Sequence, residues 1–446
     1  MTRLDARRVG RRLLGDNSPL VIPAYRRLVA AHMTNVLGYW LYLTAMLTTV
    51  TGRLGGDAGD TSRLTALATL PLIVFAPFTG LAIDRFGPRR ALRIAYFGAG
   101  VVLAGAATAD SVAGFSIAAI CLAACVSLLR PAVFGLLGRL VPDAQLSQGN
   151  GLLFASAEAA IVIGPLLAFT LIHFVNSDAA FIGGGLTLVV AGMLLGRVPN
   201  VAPLVTTVGA GWRDRAAELV AGVRAIAADR PSTVALLVVM TLFGYLGVLF
   251  SLEPVLIVNE LGARHGDLGL IYAAAGAGSA VSTATLARLA PPPRPLPRVA
   301  LALATLGALT IGYSTSPTLL VAAGWSVLVG LAFGWVLSPS ATVVQRRAPS
   351  VVIGRVMASF TIVQVGAQGL AALVVGAVAG SSVRPSLAVT GAACVAVGIT
   401  VFLGTRGRDE PPPAPGSPAA RHDASHVVAG AEMRTATPSE PAVVEG

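Results

Sequence analysis

The chain has no lysine: its 32 Lys and Arg residues are all arginine. Charged residues make up only 12% of the sequence and aromatics 6%, and there are three cysteines in 446 residues. Each shortage excludes something. Soluble domains carry about 25% charge, so a chain at half that level, with 55% hydrophobic residues and a mean hydropathy of +0.77, does not have water as its only solvent. Cys121, Cys125 and Cys394 all fall inside apolar stretches, which speaks against a disulfide framework and against thiolate metal ligation. His32 and His173 stand too far from other ligand types for a metal site, so none is expected. No phosphate-cradling glycine loop, covalent nucleophile or Ser/His/Asp set is present, and neither an enzyme nor a bound cofactor is expected.

Continuous apolar stretches recur from about residue 28 to residue 404, each long enough for the ~20 residues a spanning helix needs. They are too long and too uniformly apolar for barrel strands. The expected fold is all-α, a polytopic membrane protein with twelve transmembrane helices in two six-helix bundles. The boundaries read as a segment 1–27, a first bundle 28–197, a linker 198–232, a second bundle 233–404 and a disordered tail 405–446 rich in Pro, Ala, Ser and charge. The fourth span reads as one helix over 112–137.

The formal charge of +11 suggests nucleic acid only if its distribution is ignored. The arginines gather at alternate ends of the apolar stretches; the sparse set receives only Arg53, Arg63, Arg264 and Arg384. By the positive-inside rule both termini are cytoplasmic and the chain is a multi-pass protein of the cell membrane, with lipid rather than nucleic acid as its surroundings. The linker stretch GWRDRAAELVAGVRAIAADRP places Arg on one side and Ala, Leu, Val and Ile on the other. It reads as an amphipathic helix at the inner surface or as an ordinary linker helix. The segments 128–156 and 336–360 align loosely at an offset of 207 to 208, with Pro131 against Pro339 and Pro142 against Pro349.

The turn between the second and third spans reads GLAIDRFGPRRAL. Gly80 permits close helix approach, Gly87 permits a reversal, Asp84 offers a carboxylate, and Arg85, Arg89 and Arg90 supply donors for carboxylates or lipid phosphates. This turn resembles the G-x-x-x-D-R-x-G-R-R signature of the major facilitator superfamily. The resemblance implies secondary transport by alternating access, with this loop latching the inner ends of the two bundles together in the outward-facing form. The matching second-half stretch, LARLAPPPRPLPR, lacks the Asp and Gly pattern, so the latch is assigned to the first half alone.

Residues 130–168 narrow the resemblance. Pro131, Ala132, Val141, Pro142, Asn150, Gly164 and Pro165, with GRVMAS at 354–359, are similar to the drug- and macrolide-efflux and siderophore-exporter branch. There Gly164 and Pro165 would bend the fifth helix. The branch's antiporter signature continues Gly-Pro-x-x-Gly-Gly, whereas this chain has Ala168 and Phe169, a departure that weakens drug/proton antiport.

Charges inside the apolar stretches are expensive and point to function. Arg130 and Glu158 flank a hairpin near residue 144 at equal sequence distance, so they reach similar depth; a structural pair, a gating or proton-coupling role, and no contact all remain open. Glu253, late in the seventh span, is a second candidate for proton binding or a residue at the interface. Asn35 and Tyr39 share a helix face with Trp40 beside them, and Gln364 and Gln368 stack four residues apart; these five are candidate cavity residues. The expected function is a monomeric, proton-coupled exporter of small amphipathic organic molecules. Metabolite uptake or facilitated diffusion is the first alternative and a non-transporting sensor the second.

Overall fold

The computed structural model describes residues 18–142, 145–199, 212–264, 266–286, 288–289, 294–348, 353–380 and 382–407; of Asp84, Arg130, Ser147, Trp212, Asp214, Arg215, Ile353 and Gly354 only the backbone is described. The two terminal segments of the sequence expectation, 1–27 in its first seventeen residues and 405–446 beyond 407, lie outside this set. Every regular element among the described residues is helical. In chain order the helices are α1 (Pro23–Thr48), α2 (Ala58–Phe86), α3 (Pro88–Ala106), α4 (Val112–Ser127), α5 (Leu129–Leu140), α6 (Leu146–Phe174) and α7 (Ser177–Gly196). There follow α8 (Trp212–Ala228), α9 (Arg230–Val255), α10 (Asp267–Leu286), α11 (Pro295–Ser314), α12 (Leu319–Arg347), α13 (Ile353–Val378) and α14 (Val383–Thr405).

Helix starts follow local chemistry. Pro23, Pro88 and Pro295 occupy first positions, where a missing N–H costs nothing. Asp57, Ser111, Asn176, Asp229 and Thr318 cap with side chains that accept backbone N–H groups. Gly87 ends α2 at φ 76°, left-handed geometry that a Cβ would oppose, and Pro88 opens α3 at once. The expected fourth span 112–137 is one membrane-crossing stretch, Val112–Leu140, interrupted by a single residue, Leu128, that separates α4 from α5 just ahead of Arg130 and Pro131. Pro131 has no N–H to offer the Ser127 carbonyl four residues back and its ring crowds that carbonyl, so the helix is interrupted at this point.

Among the described residues ten spans are long and apolar enough to cross a membrane, α4 with α5 counting as one. Outside those ten, α1 carries Arg26 and Arg27 and α3 carries Arg89, Arg90 and Arg93 near their starts. The linker helix α8 falls inside the expected segment and packs on α13.

Contacts repeat with pseudo-two-fold symmetry. In the first half α1 packs on α6, α2 on α4 and α3 on α7; in the second half α9 packs on α13, α10 on α12 and α11 on α14. Between halves, α2 meets α13 and α6 meets α10. Lipid tails are as apolar as leucine, so such helices associate through close backbone approach at small residues. At Gly278 and Gly330 an added Cβ would strike the backbone of Val327 and Ala275, locking α10 to α12.

Candidate functional site: the seam between the halves

The seam is closed at the arginine-poor end. On α2, Thr61, Ser62, Thr65 and Thr69 are buried, while Val74 and Phe78, further toward the arginine-rich end, are 65% and 50% exposed. Thr61 donates its hydroxyl to the Ser251 carbonyl on α9 at 2.5 Å. Gly376 on α13 lies against Ser62, with room for a Cβ only 2.6 Å from the serine Cβ, and Gly369 lies against Thr69 and Leu70. On the other flank, Gly269 of α10 packs onto the Pro165 carbonyl of α6, and Gly276 packs onto Ile161.

Beneath this closure lies an aromatic floor. Trp40 meets Phe250 and Tyr272 of the second half at ring-centroid distances of 6.2 Å and 5.7 Å, edge to face, the geometry that aromatic quadrupoles favour. Trp40 fits there because Gly164 presents no side chain; a Cβ on it would stand 2.7 Å from the Trp40 Cβ. Gly164 and Pro165 thus act as packing points against α1 and α10, and α6 stays helical through both. Phe169, at the departure from the antiporter signature, packs against Gly269 and stacks on His173 at 5.5 Å.

A cavity of about 130 Å³ opens beside this floor, lined by Tyr39, Thr69 and Gln368 among apolar residues of α2, α4 and α13. Two expected cavity residues from different halves, Tyr39 and Gln368, are therefore brought together. Gln364 is buried on the same helix one turn away, and Asn35 is half-buried on α1.

Glu158 is half-buried and accepts a hydrogen bond from Ser279 of α10 at 3.3 Å, so it reaches across the seam. Its expected partner Arg130 has a side chain outside the described set, and that pairing is left there. Glu253 is 3% exposed, deep in the second half, where Tyr313 of α11 donates its hydroxyl to Oε1 at 2.6 Å and Oε2 has no hydrogen-bond partner among the described residues.

At the arginine-rich end, Arg89 donates to the Leu195 and Gly196 carbonyls of α7 at 3.1 Å and 2.6 Å. It supplies cationic donors to that helix's C-terminus. Arg85 leans over Phe86 at 5.7 Å and, like Arg90, is exposed; Gly80 is partly buried. In this form Arg89 thus serves the first half's own packing. An ion pair that the sequence did not point to also lies at this end. Arg347, at the end of α12, binds Asp229 at 2.8 Å, and Ser232 donates to the same oxygen through its N–H and hydroxyl. Burial alone would raise the Asp229 carboxyl, but the bonds from Arg347 and Ser232 outweigh it and hold it below the ordinary aspartate range.

The opposite rim holds residues whose signal was present in the sequence and went unread. Leu54-Gly55 and Gly59-Asp60 recur as Leu261-Gly262 and Gly266-Asp267, offset by 207. Each motif follows one turn of π-helix, Thr49–Arg53 and Leu256–Glu260, and the two turns touch. Gly55 and Gly262 share φ values of 63° and 62°.

An all-helical, membrane-spanning protein built on an internal two-fold repeat, with a seam closed at one end and a cavity at its floor, is what this fold and site define. A family model for the Major Facilitator Superfamily matches residues 28–372. The chain belongs to that superfamily. It is similar to the uncharacterized MFS-type transporter YfiS of Bacillus subtilis (strain 168), 26% identical over 163 residues, covering 35% of this chain and 39% of that protein. It is also similar to the lysophospholipid transporter LplT of Serratia proteamaculans (strain 568), 28% identical over 210 residues, 46% of this chain and 49% of that one. The matched segments span less than half the length of either relative. Among solved structures, the nucleoside transporter NupG superposes with TM-score 0.66 at 10% identity, covering 86% of this chain and 100% of that one. A POT family transporter in complex with a thioalcohol conjugated peptide superposes with TM-score 0.65 at 14% identity, covering 86% and 96%. At those identities the likeness is one of fold.

Proposed function

We propose that the protein is a secondary transporter that carries a small amphipathic organic molecule across the cell membrane by alternating access between two six-helix bundles, twelve spans in all. The observation that carries this reading is the one-sided seam: cross-half contacts gather at the arginine-poor end, and the Tyr39–Gln368 cavity lies under them. The positive-inside rule places the arginine-rich end in the cytoplasm, so this form faces inward.

Uptake or facilitated movement of a metabolite has more support than the drug-exporter reading drawn from the sequence. The relatives and fold neighbours are named for lysophospholipids, nucleosides and a bound peptide conjugate. Phe169 occupies the place where the antiporter signature carries glycine, and it fills the seam against Gly269. Coupling to protons is assigned to Glu253, with Glu158 sensing the seam through Ser279. A carboxyl group sealed from water on one side exchanges its proton only with the side to which the carrier opens.

The test is purified protein in liposomes under an imposed pH gradient, offered a lysophospholipid, a nucleoside, a dipeptide and a hydrophobic cation. Flux of one class, with proton movement alongside it, supports the reading. No flux of any class, with the protein monodisperse and correctly inserted, refutes it.

A further inference from the structure

The repeat at the outer rim carries one deliberate difference. Arg53 ends the first π-turn and Glu260, 207 residues later, ends the second. Each is tied to its own half by a partner of opposite charge at the same place in the repeat. Arg53 pairs at 3.2 Å with Asp178, in the first turn of α7, and donates at 2.9 Å to the Ala109 carbonyl in the α3–α4 loop. Glu260 pairs at 2.6 Å with Arg384, in the first turn of α14. Arg384 also donates to the Ser314 and Ser316 carbonyls in the α11–α12 junction, at 3.1 Å and 2.9 Å. Both arginines therefore join the same three elements of the repeat, but the charges have been exchanged between turn and helix.

Two physical consequences follow. The π-turns touch each other across the seam, so matched positions bearing the same charge would repel there, and exchange removes that repulsion. Each guanidinium also spends several donors on elements of one half and, in the hydrogen bonds described, none on the other. A surface ion pair alone is weak; an arginine bound to a carboxylate and to loop carbonyls fixes an orientation as well.

We propose that these charge-exchanged clamps weld each rim to its own bundle throughout the transport cycle, so that the outer gate opens by parting one π-turn from the other while both ion pairs stay intact. This inference rests on the alternating-access reading and adds to it the identity of the rigid parts.

The experiment uses the full chain with Cys121→Ala, Cys125→Ala and Cys394→Ala, spin-labelled in pairs. Asp110→Cys with Leu320→Cys reports the distance across the seam; Asn259→Cys with Leu320→Cys reports the second rim against its own bundle. All three positions are exposed and none belongs to a clamp. The outer seam is wedged open by Gly376→Trp or, separately, Gly269→Trp, since neither glycine has room for a side chain when the seam is shut. The expected result is a seam distance shifted to longer values in at least one wedge variant, with the rim distance unchanged. Adding Arg384→Gln to that variant then broadens the rim distribution. A seam that parts while the rim distance shifts with it overturns the proposal alone, as does a rim that stays narrow without Arg384. A seam that stays shut in both wedge variants overturns the alternating-access reading and the proposal together.

Discussion

Tyr313 donates its hydroxyl to Glu253 at 2.6 Å, joining α11 to α9 in a place where Glu253 is 3% exposed. Ser251, two residues earlier on α9, holds the seam through Thr61. A carboxyl group and a gate contact thus share one helical turn. Under the proposed coupling, a change of protonation at Glu253 would act within one helical turn of the contact that holds the seam shut.

Replacing Glu253 with Gln should keep the fold, because an amide oxygen still accepts from Tyr313, while abolishing the pH dependence of transport. Tyr313→Phe should instead lower stability by about 1–3 kcal/mol by leaving a buried carboxyl unpaired. Melting curves and flux at two pH values, measured on both variants, separate the roles. Equal pH dependence in Glu253→Gln and the parent would remove Glu253 from coupling.

Glycine substitutions should sort by location. Gly330→Ala, inside the second half, should destabilise by about 1–3 kcal/mol, because the Ala275 backbone cannot withdraw from a new Cβ. Gly269→Ala, on the seam, should leave the melting temperature nearly unchanged and open the outer side. A Thr69→Cys reporter in each background, exposed to an impermeant maleimide from the outer face, would show faster labelling only with Gly269→Ala.

The Asp229–Arg347 pair should make the arginine-rich end acid-sensitive. The Asp229 carboxyl is held below its unfolded value by Arg347 and Ser232, so its contribution is present above the unfolded aspartate pKa of about 3.9 and is lost as pH falls through the lower folded value. Asp229→Asn should cost about 1–2 kcal/mol at neutral pH, from the lost charge-assisted bond and the weaker cap. Thermal unfolding between neutral and acidic pH should show the gap between parent and variant closing at the acid end.

Filling the cavity should weaken substrate binding without weakening the fold. Ala123→Leu adds apolar volume to the 130 Å³ space beside Tyr39 and Gln368. A loss of about tenfold in affinity, or ~1.4 kcal/mol, is expected for whichever panel compound is carried. Unchanged affinity in a stable variant would move the binding site elsewhere.

The spans and the superfamily turn at Gly80–Arg90 could be read directly, because apolar length and a dense motif are local properties of the chain. Tyr39 and Gln368 could be nominated as polar residues on helical faces, but nothing local told that they would line one cavity from opposite halves. Gly164 and Pro165 were legible as a site of consequence, but not their packing partners: a missing Cβ at Gly164 admits Trp40, and the Pro165 carbonyl receives Gly269. The Asp229–Arg347 pair joins residues 118 apart, and no spacing rule connects them.

The sequence by itself determined that lipid is the solvent, that the chain is helical, and which end carries the arginines, because hydropathy and charge act residue by residue. Tertiary structure alone decided which end of the seam is closed and which polar groups meet there. Those outcomes depend on how near two backbones come at a glycine, and that distance is set jointly by helices far apart in the chain.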